Sequence, residues 1–248
     1  MTHVLDDLRK ARLRPLRLSP WRVVESQHHV STRKLVDSLE EQALLEQLIE
    51  AAKPPSRAGR LHVLLSTPFR YPPLEHGSRF GARHERSLWY GSEERQTAFA
   101  ELAYYRLVFL DGTRADLDVV ATWHTAFMVR VRTTRGIDLT VAPFRAHRAT
   151  ITSPTDYAAT QALGRAMRDA SVEAFRYPSA RDRRGGVNIG IFTPAVFGTA
   201  RPRDLETWHC TATRLHVECV RRNFFDVAAF TFPREEFLVD GRLPAPAT

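Results

Sequence analysis

Cysteine, lysine and long apolar runs are all scarce in this chain, and each shortage removes a class of protein. The two cysteines, Cys210 and Cys219, stand without CxxC spacing among 248 residues. That excludes a disulfide-built scaffold and a zinc ribbon, and it predicts a reduced, cytoplasmic protein. No apolar run approaches the roughly 20 residues of a membrane helix, and nothing at the start resembles a signal peptide, so no membrane contact is expected. Only Lys10, Lys34 and Lys53 are lysines among the 36 basic residues, so arginine carries the net charge of +8 and the pI of about 10.1. A bias toward GC-rich arginine codons explains that excess as well as selection for an anionic ligand does. The histidines, among them His28, His29, His124, His209 and His216, form neither HExxH nor a paired spacing with cysteine, so no metal site is expected. The glycines around Val187-Asn188 precede an expected strand and lack the strand-turn-helix setting of a dinucleotide fingerprint, which argues against a Rossmann domain. No repeat or low-complexity tract is present.

What is there suits one large core. Hydrophobic residues make up 43% of the chain, and no shift of composition asks for a second domain. The expected organisation is a basic N-terminal leader over residues 1–20, followed by a single domain over 21–248. Strands are expected at 21–25, 61–65 and 87–90. A hairpin is expected from a strand at 123–133, a turn at Thr134-Arg135-Gly136 and a strand at 137–141. Further strands are expected at 172–177, 188–193 and 226–232, with one long strand at 208–220. An amphipathic helix is expected after Ser31 or Thr32 up to Ala52, a second over 93–110 with Ser92 as N-cap and Glu93 and Glu94 in its first turn, and a third over 154–170, with Tyr157, Leu163 and Met167 on the buried side. Strands and helices do not alternate regularly, so the pattern reads as a mixed α/β (α+β) fold with mostly antiparallel sheet.

Residues 69–106 read as half of an active site. Gly77-Ser78-Arg79-Phe80-Gly81 reads as a tight turn presenting a cation, and Trp89-Tyr90 as a buried strand presenting an aromatic ring. Glu101 sits mid-helix, with Ala98 three residues before and Tyr105 four after on its own face. A carboxylate on a largely apolar face is either salt-bridged to one of the many arginines or placed there for work. Arg22 and Arg79 either decorate the surface or grip an anion; Tyr90 is either core or site; Ser179 and Asn188 are either loop-closing residues or ligand contacts.

The ordered set Trp21-Arg22-Val23, Gly77 to Gly81, Tyr90, Glu101 and Tyr177-Pro178-Ser179-Ala180-Arg181 ahead of Asn188 resembles the RES-domain toxins of bacterial toxin-antitoxin pairs. The resemblance spans about residues 21–197. It implies an enzyme with a fold similar to ADP-ribosyltransferases that consumes NAD by breaking the nicotinamide–ribose bond, as an NAD glycohydrolase or NAD phosphorylase, with NAD as substrate and no cofactor. Glu101, Arg79 and Tyr90 are then the catalytic candidates, and Arg22, Arg79, Tyr90, Ser179 and Asn188 the NAD-binding ones. The resemblance also implies a small antitoxin with a helix-turn-helix DNA-binding domain and is compatible with a homodimer. Transfer of ADP-ribose to a protein is the alternative within this chemistry. An arginine-rich nucleic-acid-binding protein, suggested by Arg9 to Arg17 and Arg181 to Arg184, is the alternative outside it. A catalytically silent NAD-binding relative is a third.

Overall fold

The computed structural model describes residues 2–26, 61–71, 77–115, 117–222 and 227–244, with scattered positions between 38 and 48. The helix expected over residues 31–52 falls largely outside the described residues. The chain opens with α1 (Thr2–Lys10), β1 (Arg14–Leu18) and β2 (Trp21–Glu25), then α2 (Val63–Arg70), β3 (Trp89–Ser92) and α3 (Arg95–Gly112). Strands β4 (Val120–Met128) and β5 (Val131–Asp138) follow, then α4 (Arg148–Ile151), α5 (Ala158–Asp169), β6 (Ala174–Pro178), β7 (Val187–Ile191), β8 (Arg203–Ala212), β9 (His216–Arg222) and β10 (Val227–Pro233). The ten described strands join one mixed sheet in the order β1-β5-β6-β7-β3-β2-β4-β8-β9-β10. Only β5 and β6 run parallel; every other pair is antiparallel, as the irregular order of elements suggested.

Two apolar clusters occupy one face of this sheet. Beneath α3, Phe99, Ala103, Leu107 and Leu110 pack on Trp208, Val217 and Phe232. Beneath α1 and α5, Val4, Leu8, Leu163 and Met167 pack with Phe80, Phe175 and Tyr177. The basic leader is thus part of the fold, with α1 buried along one side and β1 paired to β5. A third cluster covers the opposite face, where Leu65 of α2 meets Trp89, Phe127, Ile189 and Ile191. Because direct cross-strand partners share a face, the row Trp21, Ser92, Asn188 and Tyr177 across β2, β3, β7 and β6 lies on the first face, between its two clusters.

Several local expectations are corrected. The run expected as a strand at 61–65 is the start of α2, with the His62 side chain accepting the Leu64 N–H at its N-terminus; a short apolar run carries no decisive period. Ser92 ends β3 and does not cap α3. Its hydroxyl is bound to Asn188, and the N-cap position falls to Glu94 without a side-chain cap. Helix α5 begins at Ala158 rather than Pro154, its first N–H taken by Asp156. The expected hairpin does not form: β4 pairs with β2 and β8, while β5 runs through Thr134-Arg135-Gly136 and pairs with β1 and β6. Gly136 serves a close approach, since a Cβ there would stand 2.3 Å from the Leu16 side chain. The long strand expected at 208–220 is folded in two at Thr213, whose hydroxyl accepts the N–H groups of Leu215 and His216. That hairpin makes Cys210 and Cys219 cross-strand partners and joins them as a disulfide, so the expectation of reduced cysteines is overturned.

His124 on β4 is fully buried, and its Nε2 lies 3.0 Å from an Arg106 terminal nitrogen. Burial, and then the Arg106 charge, lower its pKa to about 4. The unfolded chain takes a proton near pH 6.5 that the folded one refuses, so this stabilisation is full above pH 6.5 and is lost as the pH falls toward 4. In urea melts at pH 7 and pH 4.5, the wild type is expected to lose roughly 2 kcal/mol more than His124→Gln between the two conditions. Identical losses contradict the assignment.

Candidate active site

Between the two clusters on the first face opens a cleft of about 300 Å³, at the small end of ligand pockets. Among the described residues its charged lining is Arg22, Arg79, Arg181 and Glu101; Tyr90, Tyr105, Tyr157 and Tyr177 supply rings, with Trp21, Ser92 and Asn188 along the sheet.

Glu101 comes from α3, which lays Ala98, Glu101, Leu102 and Tyr105 on one face toward the cleft, as helical spacing requires. Its Oε1 accepts the Ser179 hydroxyl at 2.7 Å and the Asn188 amide at 2.6 Å. No described arginine lies within ion-pair distance of it, so the salt-bridged reading fails. The donors are themselves fixed. Ser179, 4% exposed, follows β6 and accepts the backbone N–H groups of Arg181 and Asp182, which leaves its single proton for Glu101. It stands behind the carboxylate and is not among the lining side chains. Asn188 on β7 accepts the Ser92 hydroxyl at 2.6 Å through its carbonyl, which turns its NH₂ toward Glu101.

The cations approach from two sides. Arg22 on β2 donates to the Tyr90 carbonyl at 3.0 Å and lies 5.2 Å from the Trp89 ring centroid; burial lowers its pKa to about 10, and the group stays charged at neutral pH. Arg79 projects from the turn that Gly77 opens at φ +71°, a conformation that favours glycine. It donates to the carbonyls of Ile151 and Ser153 at 3.0 and 2.8 Å and covers the Tyr157 ring at 4.5 Å. Tyr90 on β3 ties that turn in place: its hydroxyl pairs with Ser78 at 2.9 Å and accepts the Phe80 N–H at 3.1 Å. Burial raises the pKa of Tyr90 and Tyr177, so both remain phenols. Their rings meet edge to face at 6.4 Å.

Arg22, Arg79, Tyr90, Glu101 and Asn188 therefore share one cleft, with Ser179 directly behind it. Sequence reasoning did not single out Arg181, Tyr157, Tyr177 or Ser92 as site residues. Tyr105 was visible through its spacing of four from Glu101; Tyr177 and Arg181 stood beside Ser179 in the motif; nothing in the spacing pointed to Tyr157. His124 contacts Arg106, His209 packs on Trp123 and His216 bonds Thr213. Among the described residues no group of three or more His, Cys, Asp or Glu can hold a metal ion, and no helix is long and apolar enough to cross a membrane.

A mixed, mostly antiparallel sheet with a carboxylate and guanidinium groups facing one cleft is an arrangement suited to a polar, anionic ligand. Residues 54–213 match the RES domain. The chain belongs to the RES-domain family. Arg79, Tyr90, Glu101, Ser179 and Asn188 fall inside the matched residues, and Arg22 precedes them. No curated protein matches the chain.

Replacing Asn188 by aspartate would set a second carboxylate against Glu101, and two such groups in contact cannot both ionise at low cost. Asn188→Asp is expected to lose about 2 kcal/mol or more at pH 8. One carboxyl of the pair then has a raised folded pKa, so its deficit relative to wild type shrinks as the pH falls toward 5. A deficit in urea melts that is independent of pH contradicts the pairing.

Proposed function

We propose that this protein consumes NAD by breaking the bond between nicotinamide and ribose. The observation that carries the reading is the Glu101 carboxylate, held by two neutral donors in a cleft whose described lining includes three guanidinium groups and four phenol rings. As the C1′–N bond breaks, its electron pair leaves with nicotinamide, neutralising the pyridinium, and positive charge develops on the ribose, as in the oxocarbenium-like states of glycoside cleavage. A carboxylate fixed in advance by Ser179 and Asn188 stabilises that cation without reorganising. Arg22 and Arg79 grip the diphosphate, since a guanidinium stays charged and offers paired donors to phosphate oxygens. Tyr90, whose hydroxyl is committed to the turn, offers its ring to the nicotinamide.

The acceptor that captures the ribosyl group decides the product: water gives hydrolysis, inorganic phosphate gives phosphorolysis, and a protein side chain gives ADP-ribosylation. On this reading the fold is similar to ADP-ribosyltransferases, and the protein is a toxin that depletes NAD until a small antitoxin with a helix-turn-helix domain fills the cleft. Support for the nucleic-acid alternative is reduced by its own arginines. Arg183 is bound to the carbonyls of Glu235 and Glu236, and Arg184 to Glu94, so both already have partners within the protein.

Purified protein incubated with NAD, with and without inorganic phosphate, is expected to release nicotinamide, the second product naming the acceptor. Glu101→Gln keeps an oxygen for Ser179 and Asn188 and is expected to melt like the wild type while turning over about 10²–10³-fold more slowly. Intact NAD after long incubation with folded wild-type protein rejects the proposal.

A further inference from the structure

The cleft holds a third guanidinium. Arg181 is 5% exposed and lies 3.5 Å from the centroid of the Tyr104 ring. One of its terminal nitrogens donates to the Pro154 carbonyl at 3.1 Å and to the Tyr157 hydroxyl at 3.3 Å. Arg79 covers the face of that same Tyr157 ring. One phenol therefore separates two cations, one over its π face and one at its oxygen. In the run Arg181-Asp182-Arg183-Arg184, the other three side chains are engaged elsewhere: Asp182 with Thr97, Arg183 with the backbone near Phe237 and Arg184 with Glu94. Arg181 is the member of the run that lines the cleft.

The charges in the lining do not balance. Among the described lining residues, Arg22, Arg79 and Arg181 face one carboxylate, that of Glu101, an excess of two positive charges. Each guanidinium is met by carbonyls, a hydroxyl or a ring, and none by a described carboxylate. Holding the Arg181 charge out of water without a counter-charge is costly, and two cations about one ring also repel each other. A group carrying two negative charges and several acceptor oxygens relieves both terms, and guanidinium forks match phosphoryl oxygens in geometry.

We propose that Arg181 is a ligand-binding residue that forms, with Arg79 across Tyr157, a phosphoryl-oxyanion site within the cleft. This inference rests on the NAD reading for its biological ligand. The oxyanion comes either from the diphosphate of the dinucleotide or from free inorganic phosphate serving as acceptor; the chemistry recognised is the same.

The test uses the full chain with inorganic pyrophosphate as probe. Wild type, Arg181→Gln and Arg181→Lys are compared by calorimetric titration and by melting temperature, against sodium chloride of matched ionic strength. Glutamine keeps one donor for Pro154 or Tyr157 and removes the charge; lysine keeps the charge and loses the fork and the stacking. Pyrophosphate is expected to bind and stabilise the wild type, to bind at least about tenfold more weakly to Arg181→Gln, and to give an intermediate affinity with Arg181→Lys. A merely structural arginine predicts instead that both variants lower the melting temperature while pyrophosphate affinity is unchanged, and that result overturns the proposal. Should Arg181→Gln fail to fold, the wild-type titration and Arg181→Lys decide: no binding to wild type, or equal binding to both, overturns it.

Turnover identifies the source. A raised KM for NAD in Arg181→Gln at unchanged kcat assigns the dinucleotide's diphosphate; a raised KM for inorganic phosphate at unchanged KM for NAD assigns the acceptor. Pyrophosphate binding that depends on Arg181 in a protein that leaves NAD intact supports the anion site and rejects NAD cleavage, so the two readings fail separately.

Discussion

The site depends on a carboxylate that is held but not neutralised. Glu101 could have been paired by any of the arginines that crowd this sequence; it is bound instead by a serine hydroxyl and an asparagine amide. Neutral donors fix its direction while leaving its charge available to the cleft. An ion pair would have fixed it equally well and cancelled that charge. The chain of partners runs one step further, through Ser92 behind Asn188 and the backbone N–H groups of Arg181 and Asp182 behind Ser179. The carboxylate thus inherits the rigidity of a strand on one side and of a loop closure on the other.

The fold makes this possible by splitting its core. One face of the sheet carries two apolar clusters, and the strip between them is lined by residues that face each other across β2, β3, β7 and β6. Helix α3 supplies the acid from one bank. The Gly77 turn and the segment ahead of α5 supply Arg79 and Tyr157 from the other, tied by the Arg79 bonds to Ile151 and Ser153. The cations on that bank are satisfied by carbonyls and rings rather than by described carboxylates, which keeps the described lining of the cleft positive around Glu101.

Much of this was legible from the sequence where order and local chemistry speak together. The sequence of Arg22, the glycine turn with Arg79, Tyr90, the helical Glu101 and then Ser179 and Asn188 names residues that the fold brings together, and β2, β6, β7 and β10 fall close to where alternation placed them. The geometry behind Ser179 was not legible, because two backbone N–H groups decide where its proton points. Tyr157 and Arg181 were hidden because they meet only through the contact of the segment before α5 with the loop after β6. Strand pairing was misjudged for the same reason: Gly136 reads as a turn residue until Leu16 from a distant strand lies against it, and Thr213 reads as part of a strand until its hydroxyl closes the β8–β9 turn. Without that turn, Cys210 and Cys219 show nothing of their pairing.

The central claim is that the charge on Glu101 faces a ribose that becomes cationic as nicotinamide departs. The most direct measurement is the secondary isotope effect on NAD cleavage with deuterium at ribose C1′. A carbon that flattens toward a cation before the acceptor bonds gives a clearly normal effect, and the account predicts one with water or phosphate as acceptor. An effect of unity, as expected for displacement without cation character, would contradict it.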